Sequence, residues 1–152
     1  FFFNDTATPE IYTLSLPDAL PIYPENHIIL DQVISKEPLG LIVRHGDSEW
    51  GDVVRWVRNA VILAEELGIN SGNVDKMSVS SNPEVRRLLG TEGDFGSQLG
   101  LEKDWAARTI RLVGNYGEIF ERNVGKDTEL GLERGLNALW NNGGILFAPP
   151  MR

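Results

Sequence analysis

The chain has 152 residues, 41% of them hydrophobic and 24% charged, with 14 Lys and Arg against 22 Asp and Glu for a net charge of −8 and no cysteine. A single domain of that size can close a core, which excludes disorder, collagen-like repeats and coiled coil, and no run approaches the roughly 18 apolar residues of a membrane-spanning helix. The missing cysteines remove disulfides, thiolate metal sites and a Cys nucleophile, and the negative sign, with no local Lys/Arg cluster to offset it, excludes a phosphate-backbone partner.

Residues 1–22 stand apart. Phe1 to Ile22 contain no Lys or Arg and carry Pro9, Pro17 and Pro21, which break an extended helix or a central strand. They have no basic leading region, continuous apolar stretch or small-residue cleavage site, so they are not a signal peptide. The segment closely resembles the peptide read from a DNA sequencing adapter translated in frame with a gene fragment. It is set aside as a disordered leader foreign to the fold, and residues 23–152 are taken as the globular part.

In that part, His27-Ile28-Ile29-Leu30, Val33-Ile34 and Leu39-Gly40-Leu41-Ile42-Val43 are short β-branched runs bounded by Pro and Gly, and they predict strands. Asp47 or Ser48 can cap the next segment, and Trp50, Val53, Val54, Val57, Ala60, Val61 and Ala64 recur at helical spacing. Leu67-Gly68 then stops a helix expected over about Ser48 to Leu67. Asn82-Pro83-Glu84 is a helix start in three residues, closed by Gly90. Three glycines between Thr91 and Gly100 predict a loop. From Leu101 one longer helix is expected, with Leu101, Trp105, Thr109, Leu112, Val113, Tyr116, Phe120 and Val124 on one face. Gly114 and Gly117 are reserved for close packing against a neighbour. A last helix carries Leu132, Leu136, Leu139 and Trp140, and Ile145-Leu146-Phe147 is a strand or docked extension. Such helices can close a bundle alone or dress one side of a sheet supplied elsewhere, and both arrangements remain open.

Tests for chemistry return little. Only His27 and His45 can act as imidazole bases, no Gly-x-Ser-x-Gly elbow occurs, and no helix bears a His pair at metal spacing. His45, in Arg-His-Gly-Asp, is read as an exposed strand-end residue. Glu65 and Glu66, being adjacent on a helix, do not face one another and are read as solvated. Gly90-Thr-Glu-Gly-Asp-Phe-Gly96 lacks the Gly-Lys-Ser/Thr ending of a phosphate loop and follows a helix, not a strand. Trp50, Trp56, Trp105 and Trp140 are assigned to the core or to an interface between lobes. No catalytic residue, metal ligand or cofactor is assigned.

Several ordered motifs carry a resemblance. Val33-Ile-Ser-Lys-Glu-Pro-Leu-Gly-Leu-Ile-Val-Arg-His-Gly-Asp47 leads into Glu49-Trp50. It is followed by Ala64-Glu-Glu-Leu-Gly68, Asn82-Pro-Glu-Val-Arg-Arg-Leu-Leu-Gly90, Val113-Gly-Asn-Tyr-Gly-Glu118, Arg134-Gly-Leu-Asn-Ala-Leu-Trp140 and the ending Gly143 to Arg152. Together, over about Tyr23 to Arg152, they resemble the late region of bacterial extracytoplasmic solute-binding proteins of the polar amino-acid family, the receptors of ABC importers. The resemblance implies an α/β parent fold, two-lobed and periplasmic-binding-protein-like (type II), of which this chain is a helix-rich piece with a few short strands. It implies a periplasmic, non-enzymatic binding component that captures L-amino acids by hinge closure and delivers them to ABC permease subunits, with no cofactor, no nucleic acid and no direct membrane insertion. Ligand-gripping residues are expected upstream of Tyr23, so no ligand contact is carried over. Ile34, Ser35, Lys36, Glu37 and Pro38 match the crossover between lobes and are assigned a hinge role. Alternatives are an autonomous helical interaction domain and a small metal-dependent hydrolase. The receptor reading adds a physical expectation: helices shaped to cover a sheet expose apolar faces when the sheet is elsewhere, leaving the isolated chain poorly soluble or molten and without amino-acid affinity.

Overall fold

The structure, a computed structural model, describes residues 40–151. Among these, six α-helices follow in order: α1 Ser48–Glu66, α2 Val74–Met77, α3 Pro83–Leu88, α4 Phe95–Gln98, α5 Trp105–Val113 and α6 Tyr116–Val124. Two 3-10 turns come after them, at Gly135–Asn137 and Trp140–Asn142. The expected strands at 27–30 and 33–34 and the leader 1–22 lie outside the described residues.

Helix α1 organises the rest. Asp47 Oδ1 accepts the Trp50 N–H at 3.1 Å, satisfying one of the unpaired first-turn donors, and Glu49 sits at the positive end of the dipole. Leu67 and Gly68 turn the chain away, so the helix ends within a residue of its expected boundary. Only the last part of α1 is buried: Ala60, Leu63 and Ala64 join Ile69, Val74, Val85, Leu88, Trp105, Ala106, Ile110 and Met151 in one apolar cluster. Helix α1 packs on α3, α5 and α6, and α2 packs on α5. Each fully buried aliphatic side chain here, such as Ile69, Leu88 or Ile110, contributes about 1.5–3 kcal/mol relative to exposure. Helix α3 follows its sequence signal closely: Asn82 Oδ1 accepts the Glu84 N–H at 2.9 Å and Pro83 occupies the first turn.

Elsewhere the structure corrects the sequence. The single helix expected from Leu101 is two. Gly114 adopts φ +84°, where a side chain is strained, and Asn115 restarts the chain with a reciprocal cap. Its Oδ1 accepts the Glu118 N–H at 3.0 Å, and Glu118 Oε2 accepts the Asn115 N–H at 2.8 Å. Within α5 the buried face is made by Trp105, Ala106, Ala107 and Ile110, whereas Leu112 on the same helix is 82% exposed. The loop expected at 91–100 contains α4, a turn too short for periodicity to reveal. The helix expected through Leu132–Trp140 is absent. Of its apolar positions only Leu139 is buried, so there is no stripe whose burial would hold a helix, and the backbone pairs instead. Leu139 and Leu146 form an isolated parallel bridge, with Trp140 N–H donating to Leu146 O at 2.9 Å and Leu146 N–H to Ala138 O at 3.1 Å. Gly40 to Val43, expected as strand, belong to no ladder among the described residues, as a strand without a neighbour is not stable. The helix-rich expectation therefore holds, with strand pairing reduced to one bridge among the described residues.

Candidate functional site

The hinge residues expected from the sequence, Ile34, Ser35, Lys36, Glu37 and Pro38, lie outside the described residues. Among the features of the described part, two polar nodes and one apolar face tie its elements together.

The first node joins α1 to the segment after α6. Arg134 makes a bidentate pair with Glu65, Nη1 to Oε1 at 2.9 Å and Nη2 to Oε2 at 3.1 Å, with both side chains less than one-fifth exposed. The guanidinium also donates to the Asn137 carbonyl at 2.8 and 3.1 Å and lies 5.4 and 5.3 Å from the ring centres of Tyr116 and Phe120. A Cβ on Gly117 would stand 3.0 Å from Arg134 Nη1 and 3.1 Å from Glu65 Oε1, so glycine lets α6 approach the pair, the close packing expected of it. Glu65 is therefore not the solvated residue that adjacency to Glu66 suggested. Glu66 is engaged too, accepting the Ala148 N–H at 3.3 Å. The two neighbouring carboxylates face different directions and tie down two stretches of the following chain. With Nε, Nη1 and Nη2 all donating, the Arg134 node fastens structure.

The second node is Glu118. Its carboxylate receives the Ser71 N–H at 3.0 Å, the Ser71 hydroxyl and the Asn115 N–H, while Asn115 Nδ2 donates to Ile69 O at 2.7 Å. Burial alone would raise the Glu118 pKa. The Ser71 hydroxyl, the Asn115 and Ser71 amides and the charge of Arg122 outweigh it, and the carboxyl lies below its ordinary value.

The apolar face is the first half of α1. Val53, Val54 and Val57 are half-buried and line an open groove of about 580 Å³ with Leu41, Trp50 and Ile119, and Val57 also packs against the core cluster. Trp50 is 55% exposed and Leu41 68%. Of the four tryptophans, Trp105 is in the core, Trp56 packs beside it, and Trp50 and Trp140 are on the surface. His45 is exposed, as expected, in the turn that precedes α1. Among the described residues no three His, Asp or Glu side chains converge on a possible metal site. No helix among them is long and apolar enough to cross a membrane.

Known proteins supply the context for these features. No family model matches the chain. It is 58% identical over 131 residues to the general L-amino acid-binding periplasmic protein AapJ of Rhizobium johnstonii, covering 85% of this chain and 38% of that protein. It is 53% identical over 139 residues to the glutamate/glutamine/aspartate/asparagine-binding protein BztA of Rhodobacter capsulatus, covering 91% and 40%. A solved structure from Brucella ovis, described as an ABC transporter/periplasmic binding protein with glutathione bound, superimposes with a TM-score of 0.80 at 55% identity, over 85% of this chain and 41% of that one. The chain thus spans about two-fifths of the length of the relatives it matches. The resemblance to amino-acid-binding receptors and the periplasmic-binding-protein-like fold class are borne out, and these relatives are named as binding proteins, not enzymes.

Proposed function

We propose that this chain is part of the substrate-binding component of an ABC amino-acid importer, acting in the periplasm by capturing L-amino acids and delivering them to permease subunits. The observation that carries this reading is identity of 53–58% to amino-acid-binding periplasmic proteins along most of the chain. Under this reading residues 23–152 are receptor-derived, residues 1–22 are foreign to it, and Ile34 to Pro38 act as the hinge.

The ligand class follows from chemistry shared by the relatives' ligands. Amino acids carry an α-ammonium and an α-carboxylate, and glutathione presents the same pair on its γ-glutamyl end. A receptor that grips this zwitterionic head and leaves room beyond it accepts both. The test joins this chain to the part of the Rhizobium relative that it does not span and titrates the product calorimetrically with L-glutamate, L-glutamine and glutathione. Saturable binding of the amino acids, lost for the corresponding α-keto acid, is expected. A folded product that binds none of them would end the proposal. Restored uptake of labelled glutamine in cells lacking their own receptor tests the permease partner.

A further inference from the structure

We propose that Asn142 is a self-modification site, which closes a succinimide ring onto Gly143, opens to aspartate or isoaspartate, and as isoaspartate releases the strap of residues 138–146. The inference is independent of the receptor reading. Asn142-Gly143 is the one Asn-Gly step in the 152 residues. A following glycine has no Cβ to obstruct the approach of its backbone nitrogen to the asparagine side chain. Asn142 ends the 3-10 turn Trp140–Asn142, Gly143 is left-handed at φ +84°, and both are exposed. The Asn142 and Gly144 N–H groups donate to Leu139 O at 2.8 and 3.0 Å, while the Gly143 N–H between them has no acceptor among the described residues. The other described asparagines are withheld from this chemistry. Asn59 and Asn115 are buried, and Pro83 leaves Asn82 no attacking N–H. The amides that would attack Asn70 and Asn141 are held by Glu118 and by Leu139 O. Asn73, Asn123 and Asn137 are followed by Val74, Val124 and Ala138, whose Cβ atoms crowd the approach.

Base removes the Gly143 N–H proton, and the nitrogen attacks Asn142 Cγ. The Cγ bond to the side-chain amide nitrogen breaks, and that nitrogen departs as ammonia. Water then adds to the ring. Opening at Cγ restores the ordinary backbone as aspartate, whereas opening at the α-carbonyl leaves isoaspartate, whose main chain runs through Cβ and is longer by that atom. Nothing is oxidised or reduced, and water is the co-reactant. The 3-10 turn keeps Asn142 from the extended geometry that ring closure needs, so the reaction runs as the tip opens locally. The closed strap has no slack for an added backbone atom. Leu139 is buried, Trp140 N–H donates to Leu146 O, Leu146 N–H donates to Ala138 O, and a Cβ on Gly144 would run into the Ala138 carbonyl. Asn137 O, which accepts from Arg134, adjoins the strap, so its release reaches the Glu65 pair.

The experiment incubates the full chain and Asn142→Gln between pH 7 and pH 9 and maps their peptides by mass. Conversion of amide to acid at residue 142 is expected ahead of every other described asparagine. Opening of the tip should make it up to about a hundredfold slower than in a synthetic peptide of residues 138–146. Its rate should rise about tenfold per pH unit, because the attacking nitrogen reacts deprotonated. Asn142→Gln, whose longer side chain must close a six-membered ring, should be inert at this position. A carboxyl methyltransferase specific for isoaspartate should label the incubated chain and not Asn142→Gln. In the isoaspartate form the amides of Trp140, Gly144 and Leu146 should lose protection from exchange, while Asn142→Asp keeps them protected. Where those amides are unprotected before incubation, they are measured in this chain joined to the part of the Rhizobium relative that it does not span, and absence of protection there overturns the inference. It is also overturned by conversion at another described asparagine before Asn142, by a rate at Asn142 below the stated range, or by isoaspartate that leaves exchange in the strap unchanged.

Discussion

Arg134 makes contacts that no local pattern could announce, since Glu65 lies 69 residues away. A Lys at this position keeps a charge but loses the fork and the stacking on Tyr116 and Phe120. Arg134→Lys should cost about 1.5–3 kcal/mol in urea denaturation, the range for hydrogen bonds to charged groups. A double-mutant cycle with Glu65→Gln should return about 0.5–3 kcal/mol of coupling, the range for residues sharing one network. Glu118 predicts a pH dependence. Its pKa is depressed on folding, so its contribution is complete above the unfolded value near 4.5 and is lost as pH falls through the folded value. The stability difference between the native chain and Glu118→Gln should be flat from pH 8 to 6 and shrink progressively below about 4.5.

Among the elements, those with short-range instructions were legible and those held by distant contacts were not. Asp47 and Leu67-Gly68 bracket α1, and Asn82-Pro83 starts α3, because caps act within four residues of the groups they satisfy. Gly114 is read from the sequence as a packing glycine within one helix, because the apolar spacing continues through it. The stripe was false because Leu112 points to solvent and Ile110 fills the core. Gly114→Ala should cost at least about 1–3 kcal/mol, the strain of that backbone region for a side chain, since its Cβ would also meet the Glu118 side chain 2.7 Å away. Ile110→Ala should cost about 2–5 kcal/mol as a core truncation. A midpoint shift in chemical denaturation measures each. The segment after α6 misled for the opposite reason: its leucines have helical spacing but only Leu139 finds a core, and Arg134, Leu146 and the α1 carboxylates decide its path.

At the scale of the whole molecule, the sequence carried kinship better than it carried a site. The motifs from Val33 onward pointed to solute-binding receptors, and relatives above 50% identity bear them out. The two best-connected polar groups of the described part, Arg134 with Glu65 and Glu118 with Ser71 and Asn115, are engaged in an ion pair and a helix cap. The isolated chain should therefore show no heat of binding with L-glutamate or L-glutamine up to millimolar concentration. It should also bind an apolar dye such as ANS through the open α1 face. Micromolar amino-acid affinity of this chain alone would contradict the division of labour argued above.

Met151 is buried against the core, where it shares a small aromatic recess with Trp56, Phe95 and Trp105, and its carbonyl accepts from Arg87 at 3.5 Å. Thioethers are chemically soft, and a sulfoxide there would be a polar group with no room to be hydrated. In a Met77→Leu background, which removes the half-buried second thioether, peroxide should act on Met151 as the tail opens, releasing residues 148–151 and shifting tryptophan emission to the red. Met151→Leu should be immune to the treatment, and methionine sulfoxide reductase should reverse it.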